Sequence, residues 1–149
     1  MTSVIVAGLS LGLLAAASSA AAEHRVQIDH RSGAVDAHYR GNVDVSHKQI
    51  GSAAPGGRAS SLRCAWTAKI SVNREARHAS GAVMTRAFES DTIVKGSRPG
   101  WCSTNTAAIA QDVALRTDDI QRHLLAAAEK DHAVLTAEVE RLGAAVPAG

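Results

Sequence analysis

A twelve-residue alternation of apolar and polar side chains, residues 62–73, constrains the fold of this chain more than any other segment. The apolar set, all of one parity, is Leu62, Cys64, Trp66, Ala68, Ile70 and Val72. A period of two predicts a β-strand with one buried and one solvated face. Because a strand of this length would span about 40 Å, we expect a bend or bulge within it.

Shorter alternating runs predict further strands on both sides of this segment. Residues 25–50 favour an antiparallel meander of three strands, with turns at Ser32-Gly33 and Gly41-Asn42, where both pairs tolerate positive φ. Residues 51–60 form a loop by composition and residues 74–80 a polar connection. Residues 81–89 predict a further strand of unclear parity, in which Arg86 shares the face of Met84 and Phe88, and residues 92–95 add a short one.

The hydrophobic period then changes to about 3.6, which predicts an Ala-rich helix from Thr104 or Thr106 to Leu142. Asp131 is the main polar residue on its apolar face. The helix is either continuous or restarts at Thr117-Asp118, where a second cap is available. Gly143 stands where a C′ residue is expected, with Pro147 just beyond it.

These patterns predict an α+β fold, an antiparallel sheet of five or six strands that begins as a meander and packs against a C-terminal helix or helix pair. The 149 residues divide into an N-terminal segment, residues 1–22, a single domain, residues 23–142, and a flexible tail, residues 143–149. One domain of this length can bury a sizeable core.

The N-terminal segment predicts the destination of the chain. Residues 4–22 are uncharged and end in an A-x-A pattern at Ala20 and Ala22, which favours a secretory signal peptide cleaved after Ala22. The alternative is a retained membrane anchor, although Ala, Gly and Ser dilute the apolar run. We therefore expect export to a periplasmic or extracellular space, with no membrane span in the mature chain.

Two cysteines, Cys64 and Cys102, follow the N-terminal segment. In an oxidising compartment an even pair predicts one disulfide. Since Cys64 falls on the apolar face of the strongest strand and Cys102 just before the helix, we expect the bond to join the helix N-terminus to the sheet.

Charge is distributed unevenly along the chain. Residues 23–104 carry 12 Lys and Arg against 7 Asp and Glu, whereas residues 105–149 carry 4 against 7. An acidic helix packed on a basic sheet explains this asymmetry, and a basic face for polyanions is the alternative. With only four aromatic residues in the chain, base stacking is disfavoured and nucleic acid is not an expected partner.

A histidine-rich stretch offers the one candidate for metal chemistry. On the predicted meander, Asp36, His38 and Asp44 meet across neighbouring strands, and imidazole with carboxylate suits Zn or Cu. A solvated polar face explains the same residues without a metal, because no compact metal motif accompanies them.

The sequence therefore favours a non-enzymatic exported domain that binds a protein or small ligand through its sheet or helix, with no cofactor. The Ala-rich helix offers a surface for homo-oligomerisation. The alternative function is a metal-binding protein or small metal-dependent hydrolase that uses Asp36, His38 and Asp44. No nucleophile, phosphate-binding or dinucleotide motif supports other catalysis.

Overall fold

The computed structural model describes residues 21–56 and 58–145, with their side chains except those of residues 21 and 90–93. The elements are β1 (Ala21–Ile28), β2 (Val35–Ile50), β3 (Arg63–His78), β4 (Val83–Pro99), α1 (Cys102–Ala114) and α2 (Thr117–Ala145). The strands form one antiparallel meander in the order β1-β2-β3-β4. The helices pack on one face of this sheet, α2 against all four strands and α1 against β2 and β3. The predicted α+β class is confirmed.

The described sheet has four long strands, whereas the sequence predicted five or six shorter ones. The predicted turn at Gly41-Asn42 is wrong, because both residues lie inside β2 and pair with β3. A Cβ on Gly41 would lie 2.6 Å from Ile70 Cδ1. Glycine here allows the close approach of a core side chain and does not mark a change of chain direction.

The alternation predicted for residues 62–73 is confirmed, and it continues further than expected. Residues of even number are buried along β3 as far as His78, so the polar connection predicted for residues 74–80 is wrong. Register shifts between Ala68 and Ser71 place a bulge where β3 pairs with β4, as the length of the strand required. The two strands predicted after residue 80 form the single strand β4.

The helical region consists of two helices, as in the alternative in which the helix restarts at Thr117-Asp118. Residues 115–116 separate α1 from α2, and the hydroxyl of Thr117 donates to the carbonyl of Ala114 at 2.9 Å. Asp118 and Asp119 lie in the first turn of α2, where carboxylates interact favourably with the helix dipole. The predicted C′ role of Gly143 is wrong, since α2 continues to Ala145.

The core lies between the sheet and the helices, and the predicted disulfide is part of it. Cys64 is fully buried and is bonded to Cys102 at the first position of α1, with their Cα atoms 4.8 Å apart. The bond thus joins β3 to the beginning of the helical layer. The buried aliphatic side chains around it include those of Ile70, Val72, Ile109, Val113, Leu124, Leu135 and Val139.

The predicted signal peptide falls mostly on residues 1–20, which lie outside the described residues, as does Pro147. Ala22, the predicted last residue of that peptide, lies in β1 and pairs with Gly41. Neither described helix is long and apolar enough to cross a membrane. Export, the position of cleavage and self-association through α2 stay predictions.

Candidate functional site

The predicted metal residues all lie on the face of the sheet that the helices leave open, but they do not converge. Asp36 and His38 are two residues apart on β2, and His38 Nε2 lies 3.3 Å from Glu23 Oε2. Asp44 lies six residues beyond His38 on the same strand, which is about 20 Å at the rise of a β-strand. Its carboxylate accepts a hydrogen bond from the hydroxyl of Ser71 at 3.2 Å.

The predicted convergence depended on a turn at Gly41-Asn42, which would have folded Asp44 back beside His38. Because β2 is continuous there, the three side chains share no site. Among the described residues, no group of three or more His, Cys, Asp and Glu side chains is arranged to hold a metal ion. The geometry gives the metal-dependent alternative no support.

The main concentration of polar chemistry is instead buried between α2 and the sheet. Asp131 on α2 is 3% exposed and accepts hydrogen bonds from three side chains. Arg74 Nη1 on β3 donates at 2.8 Å, Arg86 Nη1 on β4 at 2.6 Å, and the Tyr39 hydroxyl on β2 at 3.2 Å. One carboxylate on the helix is thus bonded to three different strands.

A second carboxylate balances the charge of this network. Arg74 Nη2 donates to Glu138 on the same helix, so two guanidinium groups face two carboxylates. Pairing and hydrogen bonding of this kind make the burial of charges tolerable. Burial, followed by the Asp131 carboxylate, raises the pKa of Tyr39 well above that of an ordinary tyrosine, so its phenol stays neutral.

Beside this network, residues of α2 and β4 line an open groove of about 430 Å³. Phe88 from β4 and Ala127 and Val134 from α2 provide apolar walls. Arg86 reaches the groove with its guanidinium carbon 5.5 Å from the centre of the Phe88 ring, a cation–π arrangement. Lys130 adds a second cation. The remaining lining side chains are those of Glu89, His123, Ala126 and Asp131.

Arg86 connects the buried network to the groove. Asp131 accepts from one of its nitrogens, and the side chain stays 40% exposed. No other hydrogen bond from the Arg86 side chain is formed within the part of the chain that the structure describes. A guanidinium has five N–H donors, so several remain to bind a carboxylate, sulfonate or phosphate oxygen.

Sequence reasoning noted two of these residues as irregularities without joining them. Arg86 interrupted an apolar parity and Asp131 interrupted an apolar helix face, and their charges are opposite. That complementarity was the available signal for a contact between the two elements. Arg74 was missed, because the prediction ended the strand before it.

Comparison with protein-family models, with curated proteins and with solved structures finds no match to this chain.

Proposed function

We propose that this chain is an exported, non-enzymatic binding domain whose groove between α2 and β4 takes a small amphipathic anion. The observation that carries this proposal is the position of Arg86. Its guanidinium lies at a groove that is apolar on part of its lining, held there by a buried carboxylate and near the ring of Phe88. The uncharged N-terminal run and the disulfide between Cys64 and Cys102 support the exported location.

The groove suits a ligand with a short apolar body and one negatively charged end. Its volume of about 430 Å³ lies within the ~300–1,000 Å³ typical of small-molecule sites. The apolar body would pack against Phe88, Ala127 and Val134. The anionic end would bind Lys130 and the remaining donors of Arg86.

Binding is favoured over catalysis by how the reactive groups are used. Asp131 accepts from three donors and Glu138 is paired with Arg74, so neither carboxylate is available as a base. The cysteines form a disulfide and offer no thiolate. The described groove thus provides recognition groups rather than a nucleophile and base in contact.

Isothermal titration calorimetry with decanoate and with decanol tests this proposal. The two probes share an apolar chain and differ in charge, so we expect decanoate to bind more tightly. Lys130→Gln should lower the affinity for decanoate about fivefold, which is in the range of one partly exposed charge contact. The affinity for decanol should stay nearly unchanged. Equal affinity of the wild-type chain for both probes would contradict an anion site.

A second pair of variants locates binding in the groove. Ala126 lines it, so Ala126→Leu should fill the space and reduce the affinity for both probes. Ala137→Leu is the matched control, because Ala137 is an exposed alanine three helical turns further along the same face of α2. Equal binding by both variants, each with an unfolding curve like that of the wild type, would show that the groove is not the site.

A further inference from the structure

The open face of the sheet carries its charge unevenly. At the end nearer the disulfide lie four exposed cations, Lys48, Arg63, Lys69 and Lys95, which we call the basic patch. Among the described side chains at this end of the face, Asp44 is the one carboxylate, and it lies opposite Lys69. Among the described side chains of this end, the positive charges therefore exceed the negative ones by three.

The other half of the open face is nearly balanced. Its described charged side chains, three cations and four carboxylates, are Arg25, Arg40 and Arg77 with Glu23, Asp36, Glu75 and Glu89. Several are cross-strand neighbours of opposite sign, such as Glu23 with Arg40 and Asp36 with Arg77. The excess charge of the face is thus concentrated at one end.

The basic patch extends across the three strands β2, β3 and β4. From the strand register, neighbouring cations such as Lys69 and Lys95 lie about 8 Å apart, and the patch extends about 20 Å from Arg63 to Lys69. The side chains between them are small, those of Ser46, Ala65, Thr67 and Ser97. The cations are thus spread over an extended surface rather than gathered around a compact ligand.

One corner of the patch exposes apolar side chains. Ile50, which pairs with Arg63, is 40% exposed, and Trp101 is 54% exposed. The Gln49 amide holds the two near each other, because it donates to the carbonyl of Gly100 and accepts from the amide of Cys102. An exposed indole therefore lies at the edge of a basic surface.

We propose that the basic patch and this corner dock the domain on an anionic lipid bilayer. Each Lys or Arg near an anionic membrane surface raises affinity about fivefold, and tryptophan favours the headgroup level of a bilayer. A soluble polyanion would bind the cations but would offer no apolar environment for exposed Ile50 and Trp101. The inference is independent of the groove, since no residue is shared between the two surfaces.

Vesicle sedimentation and tryptophan emission test the docking with the protein as it is isolated from cells. Vesicles of phosphatidylcholine alone measure the contribution of any uncharged N-terminal segment, and vesicles that also contain phosphatidylglycerol measure the charge-dependent part. Replacing Lys48, Lys69 and Lys95 together by Gln should weaken that part about a hundredfold. The matched control replaces Arg31, in the turn after β1, and Arg122 and Arg141 on α2 by Gln. This is an equal change of net charge away from both the basic patch and the groove, and it should have only a small effect.

Trp101 reports the orientation on the membrane. Trp66 is buried, so a blue shift of emission on anionic vesicles is expected from Trp101 and should disappear in Trp101→Phe. Equal losses from the two triple variants would overturn the proposal, as would equal binding to neutral vesicles. Retention on heparin with no binding to anionic vesicles would also overturn it and would identify a soluble polyanion as the partner.

Discussion

Asp131 shows how one residue can contradict the local pattern and still stabilise the fold. It is the charged residue on the buried face of α2, and its carboxylate accepts from Arg74, Arg86 and Tyr39. Three donors replace the water that the carboxylate loses on burial. The helix is thereby held in one position over β2, β3 and β4.

Tyr39 should resist ionisation in the folded protein. Burial and the Asp131 carboxylate raise its pKa, so the stability contributed by the neutral phenol is complete below about pH 10 and is lost as pH rises above it. Tyr39 is the only tyrosine in the chain, so the ultraviolet absorbance of tyrosinate reports it alone. We expect little ionisation at pH ~11 in the native protein and about nine-tenths ionisation in urea, one unit above the usual pKa of tyrosine. A normal titration of the folded chain would contradict the buried hydrogen bond.

Replacing Asp131 by Asn should strongly destabilise the domain. The change leaves the buried Arg74 with the carboxylate of Glu138 alone and removes the carboxylate that Arg86 pairs with, and breaking a buried pair costs about 3–5 kcal/mol. Urea denaturation measures the free energy of unfolding. Glu129→Gln, an exposed carboxylate on the same helix, is the matched control and should change it by less than about 0.5 kcal/mol.

At the scale of elements, two glycines differ in how closely neighbouring side chains approach them. A Cβ on Gly96 in β4 would lie 2.6 Å from Trp66 Cζ2, whereas one on Gly143 in α2 would have its nearest neighbour, Ser32 Cβ, at 3.9 Å. The same residue type is therefore required for packing at one position and is dispensable at the other.

Gly→Ala substitutions at these two positions should have opposite effects. Gly96→Ala forces the buried indole of Trp66 to move and should destabilise the domain by about 1–3 kcal/mol. Gly143→Ala should stabilise it by up to ~1 kcal/mol, because alanine favours the helix. Denaturant midpoints compare the two directly. A stabilising Gly96→Ala would contradict the contact between β4 and Trp66.

The ion pair between β4 and α1 should make part of the stability depend on pH. Arg98 donates two hydrogen bonds to Asp112, each 2.8 Å long, and these hold the pKa of that carboxyl below its usual range. A depressed pKa contributes stability that is complete above the unfolded value of ~3.9 and is lost as pH falls through the folded value. The wild type should therefore be more stable than Asp112→Asn at about pH 6. It should lose that advantage in acid, at pH values below the usual pKa range of aspartate. An advantage independent of pH would argue against the pair.

At the scale of the whole molecule, a covalent bond and a buried network of charges connect the two helices to the sheet. The disulfide joins α1 to β3, and the network around Asp131 joins α2 to three strands. The break at residues 115–116 lets both helices remain on one sheet.

Removing the disulfide should cost a large share of the stability. It links residues separated by 38 positions, for which the chain-entropy model gives about 4 kcal/mol. The double variant Cys64→Ala, Cys102→Ala should lose about 2–4 kcal/mol in urea denaturation. Wild-type protein reduced before unfolding should match it. A loss of under ~1 kcal/mol would contradict the stabilising role of the bond.

The parts of the fold that follow from hydrophobic periodicity could be predicted from the sequence. The alternation at residues 62–73 predicted β3 and its bulge. The change of period predicted the helical layer, with a break at Thr117-Asp118 as one of two alternatives. The lengths of the strands were not predictable in the same way. Gly41-Asn42 resembles a turn locally, and only the Ile70 side chain packed on Gly41 shows why glycine lies within a strand.

The candidate site depended almost entirely on tertiary contacts. The sequence by itself determined the element types, the buried parity of β3 and the pairing of its two cysteines, because these follow from local pattern and from cysteine number. Only the tertiary structure decided that Arg74, Arg86 and Asp131 neutralise one another and that Asp44 lies far from His38. The hydrophobic period of a strand or helix shows which of its sides is buried. The partner of a buried charge depends instead on packing between residues far apart in the chain.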